Sequence, residues 1–205
     1  MMEKMNRANQ LTILRIILIV PFLLFLWLSY FGGSDITYIL VVKATFRIIA
    51  LAIFAIAVIT DYYDGKIARE TNTVTDFGKL MDPIADKLLT FTFLLVLLQA
   101  GVISLLLVLI LLFREFFITA IRALVSNKTS KIIPASKYGK YKTIALYVGL
   151  FIIGLIPVFP YITYMLNSII LLPAVVLSII SAISYTKTAI SLLEGENEEI
   201  EIEGE

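Results

Sequence analysis

The chain has 205 residues and a formal net charge of +1, and 60% of its residues are hydrophobic, a fraction that predicts an integral membrane protein. The sequence contains no cysteine and no histidine, which excludes disulfides, thiolate metal sites and imidazole bases. Any metal held by side chains must therefore be bound through oxygen, which favours hard divalent ions such as Mg²⁺, Mn²⁺ or Ca²⁺.

Six apolar segments are candidates for membrane-spanning helices, each of which needs about 20 residues to cross a bilayer. In chain order they are 11–31, 38–60, 84–99, 102–125, 143–159 and 161–185. Most of the breaks between them carry glycine or proline, as in "FGGSD", "QAG" and "PVFP". The sequence therefore predicts an all-α membrane protein with six transmembrane helices in one domain, residues 1–193.

The second and third segments meet in a stretch that is unusually acidic for a membrane protein. The apolar run 88–98 covers only about half a span at 1.5 Å per residue, so its helix must recruit Asp82 and Asp86 from upstream. The run 48–60 is also short, and its helix is expected to continue through Asp61 and Asp64. Ionisable groups at the membrane boundary of a bundle are costly and usually functional.

Small residues share a helical face with these aspartates, because positions three, four and seven apart lie on one side. The faces comprise Asp61, Asp64, Gly65 and Ala68 in the second helix, and Gly78, Asp82 and Asp86 in the third. Converging carboxylates cannot all stay ionised without cations, and two divalent ions would neutralise them. Two alternatives remain open on spacing alone: a salt-bridge network with nearby lysines and arginines, or a cation or proton pathway.

The fourth segment carries two arginines, Arg114 and Arg122, eight residues apart and on a similar side of the helix. Arg114 follows a long apolar run, which places it well inside the bilayer, where it needs a partner or a wet cavity. Glu115 is adjacent in sequence but is expected to project elsewhere and to be a poor partner. Lys137 lies at the mouth of the next segment.

The basic residues also predict an orientation. With six spans and the N-terminus inside, all but Lys43 and Arg47 of the 17 basic residues fall on the cytoplasmic side, so both termini are expected there. The protein is predicted to lie in the cytoplasmic membrane with its aspartates facing the cytosol. Residues 194–205 hold seven of the 16 acidic residues and are predicted to be a disordered tail.

Eight residues within 26 positions form a recognisable motif: Asp61, Asp64, Gly65, Ala68, Arg69, Gly78, Asp82 and Asp86. Their types and spacing resemble the signature of the CDP-alcohol phosphotransferases. The resemblance implies six membrane helices, a homodimer, and transfer of a phosphatidyl or similar group from a CDP-linked lipid to an alcohol with release of CMP. No nucleic acid is expected as a partner.

The resemblance also implies a role for each motif residue. The four aspartates would bind divalent metal, Mg²⁺ or Mn²⁺ and two ions in number, and Asp86 would also take the proton of the acceptor hydroxyl. Gly65, Ala68 and Gly78 would make room for the cytidine nucleotide, and Arg69 would help to hold the phosphate side of the site. Asn9 and Thr12, at the start of the first helix, are expected either to cap that helix or to contact the nucleotide.

The acceptor alcohol is predicted from the fourth segment and from further resemblance. "NQLTILR" and "TDFGKLMDPIADKLL" resemble the bacterial branch of the family that makes phosphatidylglycerophosphate from CDP-diacylglycerol and glycerol 3-phosphate. Two deep arginines suit bidentate phosphate binding, so Arg114, Arg122 and Lys137 are the expected acceptor-phosphate site. Serine, inositol phosphate and phosphatidylglycerol remain alternative acceptors. A cation carrier is disfavoured, because a carrier would place its acids near the midplane of the membrane.

Overall fold

A computed structural model describes the backbone in residues 7–32, 41–70, 76–129, 137–156 and 160–203, and the side chains in 13–32, 41–60, 87–126, 137–156 and 163–194. Within these residues the chain forms six helices and no strand. The helices are α1 (Arg7–Phe31), α2 (Lys43–Glu70), α3 (Asp76–Gln99), α4 (Leu105–Thr129), α5 (Lys137–Leu155) and α6 (Pro160–Glu203). The predicted all-α fold with six helices is confirmed.

The two acidic helices extend beyond their apolar parts, as their lengths predict. α2 continues past the apolar segment Lys43–Thr60 to Glu70, and α3 begins at Asp76, eleven residues before the apolar segment Lys87–Gln99. Lys87–Gln99 is by itself too short to cross a bilayer. The motif aspartates therefore lie on continuous helices and not in a connecting loop.

α6 is longer than its predicted span. It covers 44 residues and continues to Glu203, through the acidic segment for which the sequence predicts disorder. Glutamate is a good helix former, so the backbone can continue as helix without burying an apolar face. The predicted disorder of residues 194–205 and the domain boundary after residue 193 both remain predictions.

Three segments in the described part of the chain are long and apolar enough to cross a membrane: Ile13–Phe31, Lys43–Thr60 and Thr163–Glu194. α4 and α5 carry several charged residues, and the apolar part of α3 is short. The chain thus has the character of a membrane protein. The six crossings and the positions of the termini remain predictions.

The chain divides into two compact units. Unit 1 comprises Met1–Val102 and Gly154–Pro160, and unit 2 comprises Ile103–Ile153 and Tyr161–Glu205. α1, α2 and α3 therefore belong to unit 1, whereas α4, most of α5 and nearly all of α6 belong to unit 2.

Three phenylalanines form the centre of unit 1: Phe22 of α1, Phe54 of α2 and Phe93 of α3 are each at most 2% exposed. Their ring centroids lie 5.8 Å (Phe22–Phe54), 5.4 Å (Phe22–Phe93) and 5.2 Å (Phe54–Phe93) apart, and both pairs that involve Phe93 are edge-to-face. Aromatic pairs in this geometry contribute about 0.5–1.5 kcal/mol each beyond their buried area. This cluster packs together the two helices that carry the aspartate motif.

Gly154, near the end of α5, approaches this cluster closely. A Cβ atom at Gly154 would lie 3.2 Å from Cζ of Phe93 and would also collide with Leu51. Glycine therefore allows the end of α5 that belongs to unit 1 to pack against α2 and α3, as small residues do between membrane helices.

Lys43 and Arg47, the two basic residues that break the predicted charge asymmetry, bind the ends of other helices. Lys43 Nζ donates to the carbonyl of Tyr30 at 3.3 Å, one residue before α1 ends. Arg47 Nη1 donates to the carbonyl of Ile156 at 2.8 Å, just after α5 ends, and its guanidinium lies 4.8 Å from the centre of the Tyr30 ring. Carbonyls at helix C-termini lack intrahelical partners and favour cations. Both side chains thus have a structural role.

Unit 2 has its own core between α4 and α6. Ile118 and Val125 of α4 cluster with Tyr185 and Ala189 of α6. α5 also lies close to α6, because a Cβ atom at Gly149 would be 3.5 Å from the backbone oxygen of Ile170. These contacts bring the basic residues of α4 and α5 beside the polar residues of α6.

Candidate functional site

The aspartate motif lies on two helices of unit 1. Asp61 and Asp64 are in the last part of α2, and Asp82 and Asp86 are in α3, with the connection 71–75 between the helices. The side chains of residues 61–86 lie outside the described residues. The roles expected for the four aspartates therefore remain predictions, as do those of Gly65, Ala68, Arg69 and Gly78.

Asn9 and Thr12 both lie inside α1, which begins at Arg7, so neither is the N-cap of that helix. This removes the structural alternative that the sequence left open for them. Their side chains lie outside the described residues, and their contact with the nucleotide remains a prediction.

Arg114 lies inside unit 2 with polar partners, as its depth in an apolar helix requires. Its side chain is 9% exposed and forms an ion pair between Nη1 and Glu115 Oε1 at 2.9 Å. Nη2 donates to Oγ of Ser181, a fully buried residue of α6, at 2.6 Å. Its Nε is buried and has no hydrogen-bond partner. The guanidinium therefore retains hydrogen-bonding capacity.

The expectation that Glu115 would be a poor partner of Arg114 is wrong. Adjacent residues leave a helix about 100° apart, which separates their Cβ atoms. Both side chains are long enough, however, to bend back toward each other. A second cation also attracts the Glu115 carboxylate, because Lys142 Nζ of α5 binds the same oxygen, Oε1.

Lys142 is a candidate residue that the sequence analysis did not select. Its side chain is 8% exposed, whereas the selected Lys137, at the first position of α5, is exposed. Lys142 is five residues farther along α5, or about 7.5 Å at the rise of an α-helix, and directly precedes the apolar run. Of the three lysines in "KYGKYK", Lys142 is the one nearest to the apolar run, and this position could have identified it in the sequence as the buried lysine.

Arg122 pairs with Tyr185 of α6. Its guanidinium lies 4.7 Å from the centre of the Tyr185 ring, and Nη2 donates to the Tyr185 hydroxyl. Because Arg114 binds Ser181, four residues earlier on the same helix, both arginines face α6, as their spacing predicts. Ser181 and Tyr185 could be found in the sequence as polar residues four apart in a largely apolar helix.

The side chains of Arg114, Glu115 and Lys142 form what we name the basic cluster. It holds two cations and one carboxylate, and it is mostly shielded from solvent. Burying an uncompensated charge is unfavourable, and arginine presents donors that match the oxygens of phosphate. The arrangement therefore suits an anionic ligand.

Comparison with known proteins agrees with the motif. Residues 5–182 match the family model described as CDP-alcohol phosphatidyltransferase. The chain is 34% identical to a "Probable phosphatidylglycerophosphate synthase" of Mycobacterium tuberculosis (strain H37Rv) over 93% of this chain and 84% of the relative. Two further relatives are named "CDP-diacylglycerol--glycerol-3-phosphate 3-phosphatidyltransferase". The protein from Rickettsia prowazekii is 36% identical over 89% of this chain and 94% of the relative. The protein from Bacillus subtilis is 35% identical over 67% of this chain and 70% of the relative. The chain belongs to the CDP-alcohol phosphatidyltransferase family.

Proposed function

We propose that this protein transfers the phosphatidyl group of CDP-diacylglycerol to glycerol 3-phosphate, giving phosphatidylglycerophosphate and CMP. The family and the names of the relatives support the reaction class. The observation that carries the choice of acceptor is the buried Arg114, which lies beside Lys142 and has an unused donor at Nε. A phosphorylated acceptor supplies the anion that this cluster suits.

The donor would bind at the aspartate motif. Asp61, Asp64, Asp82 and Asp86 offer only hard oxygen donors, which fit Mg²⁺ or Mn²⁺, and their helices are packed together through Phe54 and Phe93. Two such ions, when bound, would offset the negative charge of the diphosphate. Gly65, Ala68 and Gly78 would leave space for the cytidine, with Arg69 at the phosphates and Asn9 and Thr12 near the nucleotide.

Asp86 would act as the base. It would accept the proton of an acceptor hydroxyl, whose oxygen attacks the phosphorus that carries the diacylglycerol. The bond between this phosphorus and the bridging oxygen breaks, and CMP leaves with that oxygen. On the acceptor side, Arg114, Arg122 and Lys137 would bind the phosphate of glycerol 3-phosphate. We add Lys142 to this set because it binds the same Glu115 oxygen as Arg114.

The experiment that tests this function offers the purified protein CDP-diacylglycerol and each alcohol separately. CMP release is measured with glycerol 3-phosphate, serine, inositol phosphate and phosphatidylglycerol. We expect the highest kcat/KM for glycerol 3-phosphate. A higher value for any other alcohol would contradict the acceptor assignment and leave only the family reaction.

Plain glycerol is expected to be a very poor acceptor, because it lacks the phosphate that the cations would bind. A hydrogen bond to a charged group contributes about 1.5–3 kcal/mol, so losing one contact lowers kcat/KM by about 10- to 150-fold. Arg114→Lys should lose a similar factor for glycerol 3-phosphate, since an ammonium cannot reproduce the planar fork of a guanidinium.

The KM for CDP-diacylglycerol should change much less in Arg114→Lys, because the donor would bind at the aspartates. Lys187→Gln is the control, since Lys187 is an exposed cation of α6. Equal losses for donor and acceptor in Arg114→Lys would show that the basic cluster has been assigned to the wrong substrate.

We further propose a homodimer in the cytoplasmic membrane, with both termini and the active site facing the cytosol. The distribution of basic residues supports this orientation. Because the chain has no native cysteine, single cysteines report it directly. Thr73→Cys and Ser130→Cys should react with an impermeant thiol reagent only from the cytosolic side, and Ser34→Cys only from outside. The opposite pattern would invert the orientation.

A further inference from the structure

One oxygen of Glu115 joins two helices of unit 2. Oε1 accepts from Arg114 Nη1 of α4 at 2.9 Å and from Lys142 Nζ of α5. The other terminal nitrogen of Arg114, Nη2, donates to Ser181 of α6. Glu115 thus bridges two cations that neighbour each other.

Without a carboxylate these two cations would repel each other in a poorly solvated environment. Their side chains are 9% and 8% exposed, so water screens them little. Each side chain is long and flexible, and mutual repulsion would drive Lys142 and Arg114 apart. The carboxylate therefore sets both their positions and their separation.

Arg114 still has donors left for a ligand. A guanidinium carries five N–H groups. Glu115 uses one of them at Nη1 of Arg114, Ser181 uses one at Nη2, and the buried Nε has no partner. The cluster also keeps a net charge of +1 with Glu115 in place. An incoming phosphate can therefore be bound without removing the carboxylate from its cations.

We propose that Glu115 is a positioning residue for the acceptor's phosphate: it holds Arg114 and Lys142 side by side so that both bind one phosphate. This inference rests on the proposed function, because it requires a phosphorylated acceptor. The alternative role is that the Glu115 carboxylate competes with the phosphate of the acceptor and is displaced by it. The two roles predict opposite signs for the effect of neutralising Glu115.

The test compares Glu115→Gln and Glu115→Asp with the wild-type protein. Glu115→Gln keeps the size of the side chain but removes its charge, so the KM for glycerol 3-phosphate should rise about 10-fold or more, the loss expected for one charged contact. The KM for CDP-diacylglycerol should stay within about twofold. Glu115→Asp retains the charge on a shorter side chain and should recover part of the acceptor affinity.

Glu194→Gln is the matched control, because Glu194 is an exposed glutamate of α6 outside the basic cluster. A lower KM for glycerol 3-phosphate in Glu115→Gln would indicate competition and overturn the proposal. Equal changes in both KM values would also overturn the proposal. A loss of thermal stability with both KM values unchanged would do the same, because either result indicates a purely structural role. If Glu115→Gln does not fold, an unchanged acceptor KM in Glu115→Asp would also overturn it.

The wild-type protein separates this inference from the proposed function. If wild-type protein uses an unphosphorylated alcohol best, the proposed acceptor is wrong whatever the variants do. If it uses glycerol 3-phosphate and Glu115→Gln leaves the acceptor KM unchanged, only the role of Glu115 is wrong.

Discussion

Replacing Asp86 with asparagine is expected to lower the rate of CMP release by about 10²- to 10⁴-fold, the contribution of a well-placed general base. Asparagine has nearly the same shape as aspartate but cannot accept the proton of the acceptor hydroxyl. Binding of CDP-diacylglycerol should partly survive, because three other aspartates remain as metal ligands. Single-turnover CMP release and equilibrium binding of the nucleotide, measured on the same preparation, separate the two effects.

Asp76→Asn is the matched control for this variant. Asp76 is the first residue of α3, so the change removes the same charge from the same helix, ten residues before Asp86 and outside the motif. We expect near-normal turnover from the control. Full turnover by Asp86→Asn would exclude Asp86 as the base and return the motif to a purely metal-binding role.

Removing divalent metal is expected to abolish activity completely, and adding Mg²⁺ or Mn²⁺ should restore it. Asp61→Asn, Asp64→Asn and Asp82→Asn should each raise the metal concentration needed for half-maximal activity by at least about 100-fold. Substituting residues that only support a metal ligand typically costs 10- to 100-fold in affinity, and a direct ligand should cost more. Excess metal should rescue part of the rate.

Binding of Mn²⁺ can be followed independently of turnover by electron paramagnetic resonance. The wild-type protein should bind two ions, and each of the three variants should bind Mn²⁺ more weakly at the same protein concentration. Glu194→Gln should bind Mn²⁺ as wild type does. Undiminished CMP release after exhaustive chelation would contradict a metal site at the aspartates.

Much of the fold follows from the lengths of apolar runs. The uninterrupted apolar runs 48–60 and 88–98 are each shorter than the roughly 20 residues of a full span, which is why the extension of α2 and α3 into the motif could be predicted. The length of α6 could not be predicted in this way. Its last part is rich in glutamate, which has a high helix propensity, but it has no apolar periodicity from which a helix could be recognised.

The contacts of charged residues were harder to predict than the helices. Helical geometry describes the direction in which a side chain leaves the backbone. It correctly predicted that Arg114 and Arg122 lie on one side of α4, but it did not predict that the long side chain of Glu115 contacts Arg114. The pairing of Glu115 with Lys142 joins residues 27 apart and depends on how α4 packs with α5. No local pattern encodes such a contact.

The contacts of Lys43 and Arg47 were likewise not predictable from their positions in the sequence. By charge counting they are exceptions to the positive-inside rule, but the structure pairs them with carbonyls at the ends of α1 and α5. A rule based on loop charges applies to cations in loops, whereas these two occupy the first turns of a helix and bind within unit 1. They therefore do not weigh against the proposed orientation.

The central claim is the transfer of a phosphatidyl group to glycerol 3-phosphate, and the stoichiometry of the products tests it most directly. Purified protein in detergent is given CDP-diacylglycerol, Mg²⁺ and glycerol 3-phosphate, and CMP and the lipid product are quantified by mass spectrometry. We predict equal amounts of CMP and phosphatidylglycerophosphate, and neither product without glycerol 3-phosphate. CMP formed without an acceptor, or accompanied by a lipid other than phosphatidylglycerophosphate, would contradict this function.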